Sequence, residues 1–439
     1  MKIRRVLLAG VAFVALSATG MSNGFAAVLE EELRDLVDNH PQLQSARKTS
    51  AAAKEGVRGA FSGYYPKVTV NGDVGPEYVD TPSRRSDNNE AYYTGRDTAG
   101  ITVTQKLFDG FATQSSVESA RLTSHASNIN VEQVRQTVML EGAKSYLNVL
   151  RQNGLIELAK NNEGNIQTQL NLEDERVKRG SGIAVDVLQA KSRLQLAKER
   201  RVSFEGAFVD ARSRYTQVFN RAPEVGSMND PQPDTGFIPA TLEETIAIAL
   251  KENPAIETSD TQVQSAREKR RAARAGYYPT LSLEGKANYE DNKNTVKGIR
   301  RDWTLLLKAN WDLFSGFSTQ AAVAQAAFDY SGAKDNLDYT KRKVVEQTKI
   351  AWQALLTARE RVELLENAVN IATEVWESRK KLREAGKETV INVLDAENEI
   401  YNARINYVNA SFDARTAIYD LLTAMGRLDL DSVHKVAAK

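Results

Sequence analysis

The sequence predicts a duplicated fold of mixed α and β class, in which long coiled-coil helices carry amphipathic β-hairpins at one end. Three observations predict it. The first is internal repetition: Gly63-Tyr64-Tyr65-Pro66 returns 213 positions later as Gly276-Tyr277-Tyr278-Pro279. Leu107-Phe108-Asp109-Gly110-Phe111 returns as Leu313-Phe314-Ser315-Gly316-Phe317, and Asp186-Val187-Leu188-Gln189-Ala190 as Asn392-Val393-Leu394-Asp395-Ala396, both at an offset of 206. One seven-residue length change between residues 67 and 106 reconciles the two offsets. The second is a hydrophobic period of two after each Tyr-Tyr-Pro, and the third is a sustained period of 3.5 after each Leu-Phe-x-Gly-Phe.

The amino terminus reads as an export signal over 1–26. Lys2, Arg4 and Arg5 precede an apolar stretch from Val6 to Leu16, and Gly24-Phe25-Ala26 suits a small-x-small cleavage site. The first repeat then spans 27–220, a linker 221–240, the second repeat 241–426 and a loose tail 427–439. Each repeat opens with a helix, from Leu29 and from Leu242, with acidic residues in its first turn where the helix dipole favours them. Pro41 and Pro254 break that helix early, because proline lacks a donor and restricts its predecessor. A second helix runs to Tyr-Tyr-Pro.

Strands follow. Val68, Val70 and Val74, then Ala99, Ile101, Val103 and Leu107, alternate with polar residues in a hairpin at about 66–108. Leu281, Leu283, Ala287 and Tyr289, then Trp303, Leu305, Leu307, Ala309, Trp311 and Leu313, do the same in a hairpin at about 279–314, with Leu306 as the exception. Polar loops are expected at 80–96 and 290–301. Such hairpins fit either a half-buried sheet or strands crossing a membrane. Trp303 and Trp311 share the apolar face eight residues apart, about 26 Å along a strand. That matches an aromatic girdle at two membrane interfaces.

From Phe111 to about Lys178 and from Phe317 to about Leu382 no proline interrupts the chain. Val344, Thr348, Ala351, Leu355, Ala358, Val362, Leu365, Val369, Ala372 and Trp376 keep 4-3 spacing, and so does the series from Val393 to Ala424 beyond a turn at Gly386. The first copy is looser (Val138, Val149, Ile156, Ile166 and Leu170, then Val187 to Phe208). This period means helices supercoiled on neighbours. Residues 221–240 carry four prolines and two glycines and read as the join between repeats.

Composition narrows the function. With 58 basic and 57 acidic residues the net charge is +1, so nothing points to nucleic acid. No cysteine is present, which excludes disulfides, thiol catalysis and thiolate metal sites. His40, His125 and His434 are scattered, and Gly180-Ser181-Gly182 lacks the lysine of a phosphate loop. Acid pairs such as Glu173-Asp174 read as solvated helix faces. No catalytic constellation, metal set or cofactor motif emerges, so the expectation is a protein that is not an enzyme.

With its motifs placed, the chain resembles the TolC family of trimeric outer-membrane channel-tunnels. The resemblance runs from the export signal to the end of the second helical hairpin, and its three motifs each occur twice. It implies a homotrimer whose protomers give four strands each to a twelve-stranded transmembrane β-barrel in outer-membrane lipid, with a long periplasmic α-helical coiled-coil barrel beneath. It also implies passive export of type I secretion proteins, small toxic compounds, or both. The implied partners are an inner-membrane ABC or proton-driven transporter and a periplasmic adaptor (membrane fusion) protein. A periplasmic coiled-coil adaptor or structural rod is the alternative; it would carry no tryptophan-girdled strands.

The resemblance also assigns roles. The turns at Gly180, Ser181, Gly182 and at Gly386, Lys387 would be the periplasmic, adaptor-docking tips, and both glycines fit positions of positive φ after a helix. Asp186 and Asp395 match aspartates at the family's closed entrance. Asn392 stands where a second acidic ring is usual, and Glu388 where an arginine often ties the gate.

Overall fold

Each repeat folds in the same order, and each break is a residue that cannot continue the preceding element. The structure, a computed structural model, describes residues 29–86, 91–233, 235–294 and 296–433. The first repeat runs α1 (Leu29–Asn39), α2 (Pro41–Phe61), β1 (Lys67–Val79), α3 (Pro82–Ser86, in the hairpin loop), β2 (Tyr92–Phe108), α4 (Ala112–Lys178) and α5 (Ala184–Phe219). The second runs α6 (Leu242–Glu252), α7 (Pro254–Ala273), β3 (Thr280–Asp291), β4 (Ile299–Asn310), α8 (Ser318–Glu384) and α9 (Val390–Met425), followed by α10 (Leu430–Val433). The export signal expected at 1–26, and His434, lie outside the described residues. No helix among the described residues is long and apolar enough to cross a membrane.

Asn253 shows how the early break is built. Its side chain accepts from the Ala255 N–H at 2.9 Å, capping α7 where Pro254 occupies the first turn. The long helices start differently. Gly110 and Phe111 have φ of 65° and 70°, and Gly316 and Phe317 of 61° and 65°. Two successive left-handed residues turn the chain from strand to helix, and Phe108 and Phe314 each pack edge-on against the phenylalanine three residues on. Left-handed phenylalanines were not legible in the sequence, because bulky residues rarely adopt positive φ.

The two 67-residue helices α4 and α8 are about 100 Å long at 1.5 Å per residue. They pair with α5 and α9 in two helical hairpins. The expected seam is the one that packs: Val344, Thr348, Leu355, Ala358 and Ala372 are buried on α8, and Val393, Ala396, Ile400, Ala410, Ala417 and Leu421 on α9. The largest core lies where α1 crosses α4, α5 and α9, around Leu33, Tyr146, Leu147, Tyr215 and Leu422. The linker straps across it: Tyr146 Oη donates to the Asn229 carbonyl at 2.8 Å, and Arg415 pairs with Asp230.

The expected loose tail at 427–439 is corrected over 427–433, while 434–439 lie outside the described residues. Leu428, Ser432 and Val433 are buried in that core, and Arg427 holds Glu252 through two bonds of 2.6 and 2.8 Å. Three apolar or small residues without a helical period were enough to pack, because α10 needs only one turn to reach the bundle.

The strands also reach into the expected loops: β2 begins at Tyr92, β3 ends at Asp291 and β4 begins at Ile299. Cross-strand pairs extend the ladders outward: Tyr78 faces Tyr93 and Val79 faces Tyr92, while Tyr289 faces Arg301, whose guanidinium lies 5.8 Å from the tyrosine ring centre.

Candidate functional site

The four strands form one antiparallel sheet in the order β1-β2-β3-β4, so the two repeats join through β2 and β3. Register sets the chemistry of each face. One row across the sheet reads Val70, Ile101, Ala287, Trp303, and the next on that face Val68, Val103, Gly285, Leu305. The opposite face reads Thr69, Thr102, Lys286, Thr304, then Asn71, Gly100, Asn288, Asp302. Leu306 falls among these polar rows, which is why it broke the alternation.

The apolar face is the uncovered one. Val74 is 84% exposed, Trp303 79% and Leu307 66%, and among the described residues no helix packs on them. The polar face satisfies itself: Asp73 takes Thr98 and Arg96, Asn288 donates to Asp302 at 2.9 Å, and Glu284 accepts Lys286 and Lys308 at 2.8 and 2.7 Å. A soluble sheet buries its apolar side. This one is inverted, as lipid-facing strands are.

Trp311 lies one residue past the end of β4, not within the strand as the alternation implied. Its partner in register would be Pro279, which has no N–H for the ladder. The Trp311 indole instead donates to the Tyr277 carbonyl at 3.2 Å, which anchors the ring at the sheet's lower rim.

At the far end of the helices the turns are alike. Gly180 has φ 77° and Gly386 φ 73°. In each, the glycine N–H and the next N–H reach back three and five residues, to Val177 and Arg176 and to Arg383 and Leu382, closing the last carbonyls. Ser181 adds a hydroxyl bond to the Arg176 carbonyl at 3.2 Å, and Gly182 leaves no room for a Cβ, which would sit 2.7 Å from Val177 N. Lys387 is exposed.

The acidic candidates fall into three settings. Asp186 is half-buried in the first turn of α5. Asp395 is exposed and receives Arg193 of α5 at 2.6 Å, so a partner from the first repeat already offsets its charge. Glu388 accepts from Asn392 Nδ2 at 2.6 Å and from the Thr389 N–H at 2.9 Å, bonds that hold its carboxyl below the usual glutamate range. Glu388 and Asn392 therefore form one local clasp at the start of α9.

Glu173 is a second correction. It is 2% exposed, not a solvated face. Arg176 meets it at 2.7 Å, and Arg383 of the other repeat meets both oxygens at 3.0 and 3.1 Å while donating to the Glu388 carbonyl at 3.1 Å. This bridge ties the two helical hairpins together near their tips. Sequence reading missed it, as it missed Arg193, because neither pairing is local. Arg193 did carry a signal: it lies two helical turns after Asp186, on the same face.

Residues 33–220 and 245–427 match the family described as outer membrane efflux protein. The chain belongs to that family. It is 26% identical to the outer membrane efflux protein BepC of Brucella suis over 96% of this chain and 91% of BepC. It is 23% identical to the outer membrane protein TolC of Vibrio cholerae over 97% of both chains. Among solved structures, the outer membrane protein VceC of Vibrio cholerae superposes with a TM-score of 0.79 at 15% identity, covering 91% of this chain and 96% of that one. As a TolC-family member the chain is an outer-membrane efflux channel.

Proposed function

We propose that three copies of this chain form a continuous export duct, with twelve strands closing a barrel in the outer membrane and the helical hairpins forming a periplasmic tunnel. The observation that carries this reading is the sheet: its apolar face is uncovered and its edge strands β1 and β4 are unpaired. Four strands cannot close a barrel alone, and an open edge cannot sit in lipid. The turns at Gly180 and Gly386 would meet a periplasmic adaptor, which couples the duct to an inner-membrane ABC or proton-driven transporter. Both proteins of type I secretion and small toxic compounds are cargo classes compatible with such a duct.

Asp395 is assigned to the narrow entrance, about 7.5 Å along α9 from its first residue, Val390, with Trp303 and Trp311 at the membrane interfaces. In planar bilayers the protein should show low, cation-selective conductance, partly blocked by multivalent cations from the periplasmic side. Asp395→Ala should relieve most of that block. A block of unchanged strength would place the constriction at other residues.

A further inference from the structure

A carboxylate without an ion pair is buried where the two helical hairpins meet. Glu397 lies two residues past Asp395 and is 4% exposed, and neither of its oxygens makes a hydrogen bond. It lines a cavity of about 230 Å³ between α4, α5 and α9. Tyr401, one turn on, is 5% exposed with its hydroxyl likewise unpartnered. Two buried side chains with polar atoms lacking hydrogen bonds, on the wall of one partly open cavity, are uncommon, because each forfeits its bonds to water. Their burial is set within a single chain, so assembly can only deepen it.

The neighbours do not neutralise Glu397. From α4 it faces the amides of Asn162 and Asn165, the latter close enough to draw its carboxyl down. From α5 come Arg193, Glu199 and Arg200, but Arg193 is bonded to Asp395, and Arg200 donates to Asn402 at 2.8 Å beside the Tyr401 ring. From α8 comes Lys380, whose ammonium sits 5.4 Å from the centre of the Trp376 ring.

We propose that Glu397 is a protonation switch on the packing of the two hairpins: protonated, it lets the seam close, and on losing its proton to water it drives the seam apart beside the entrance. A charge on this nearly buried carboxyl has little solvent and no ion pair. Opening the seam would give it water, or would free Arg193 or Arg200 to reach it. Burial pushes the Glu397 carboxyl up from 4.5 to about 7, against smaller opposing pulls from Asn165 and Lys380. The sign follows from that rise. Closure is fully favoured below the ordinary glutamate value and is lost as pH climbs through about 7. The periplasm exchanges small solutes with the medium, so external pH would reach this site.

The inference rests on the channel reading, and single-channel conductance in planar bilayers between pH 5 and 8.5 separates the two. Conductance should rise in a step centred near pH 7, and Glu397→Gln should hold the channel in its acid-side state across the range. Tyr401→Phe, which removes the other polar group from the cavity, should move the step to higher pH. His125→Gln should keep the step in place, since His125 faces Glu257 about 55 Å along α4 from Asn162. A flat wild-type profile, a step that survives Glu397→Gln, a Tyr401→Phe step at unchanged pH, or loss of the step in His125→Gln would each overturn the switch. Absence of conductance at every pH would overturn the channel reading, and this inference with it.

Discussion

Charge burial distinguishes Glu173 from the acidic residues around it. Asp174 and Glu175 on the same turn make exposed ion pairs with Lys178, and such pairs contribute little. Glu173 has a nearly closed environment and two arginines, one from each repeat. Removing one partner of a buried carboxylate leaves charge that water cannot reach. Arg383→Met should therefore lower stability by about 1–3 kcal/mol, read as a shift in the denaturation midpoint of the detergent-purified protein. Arg179→Met, whose partner Glu175 is exposed, should leave that midpoint nearly unchanged. Equal effects would mean that Glu173 gains nothing from the bridge. Burial of this kind is invisible in sequence: Glu173 sits in the same charged context as its neighbours, and only the approach of α8 sets it apart.

At the scale of elements, periodicity carried most of the information. The strands, the paired long helices and the breaks at Pro41 and Pro254 follow from period, proline and glycine alone, and the positive φ of Gly180 and Gly386 from their place after a helix. The ends were less legible. Tyr92 and Tyr93 were assigned to a loop because polar residues surround them, yet their cross-strand partners pull them into β2. The membrane face yields a test at this scale. Leu307 is uncovered midway between Trp303 and Trp311, opposite Leu283. Leu307→Arg should cost about 2–4 kcal/mol at the bilayer midplane and reduce the yield of membrane-inserted protein. Thr304→Arg, on the polar face, should be tolerated far better. Similar yields of the two variants would show that neither face meets lipid.

For the whole molecule, the unpaired edges decide the assembly. β1 and β4 each present a free row of backbone donors and acceptors at opposite sides of the sheet, so copies can pair β4 to β1 around a closed ring. Light scattering in detergent should give three protomers per particle, and a stable monomer would sink the barrel. By itself, the sequence determined the duplication, the order of elements within each repeat and the apolar and polar sides of every strand. Those follow from local rules of proline, glycine and period. The tertiary structure alone decided that β2 pairs with β3 to fuse the repeats, that Arg383 crosses to Glu173, that Arg193 reaches Asp395, and that Glu397 is buried without an ion pair. Each joins residues about 180 or more positions apart or depends on what surrounds one side chain, and no local pattern encodes which distant surface will arrive there.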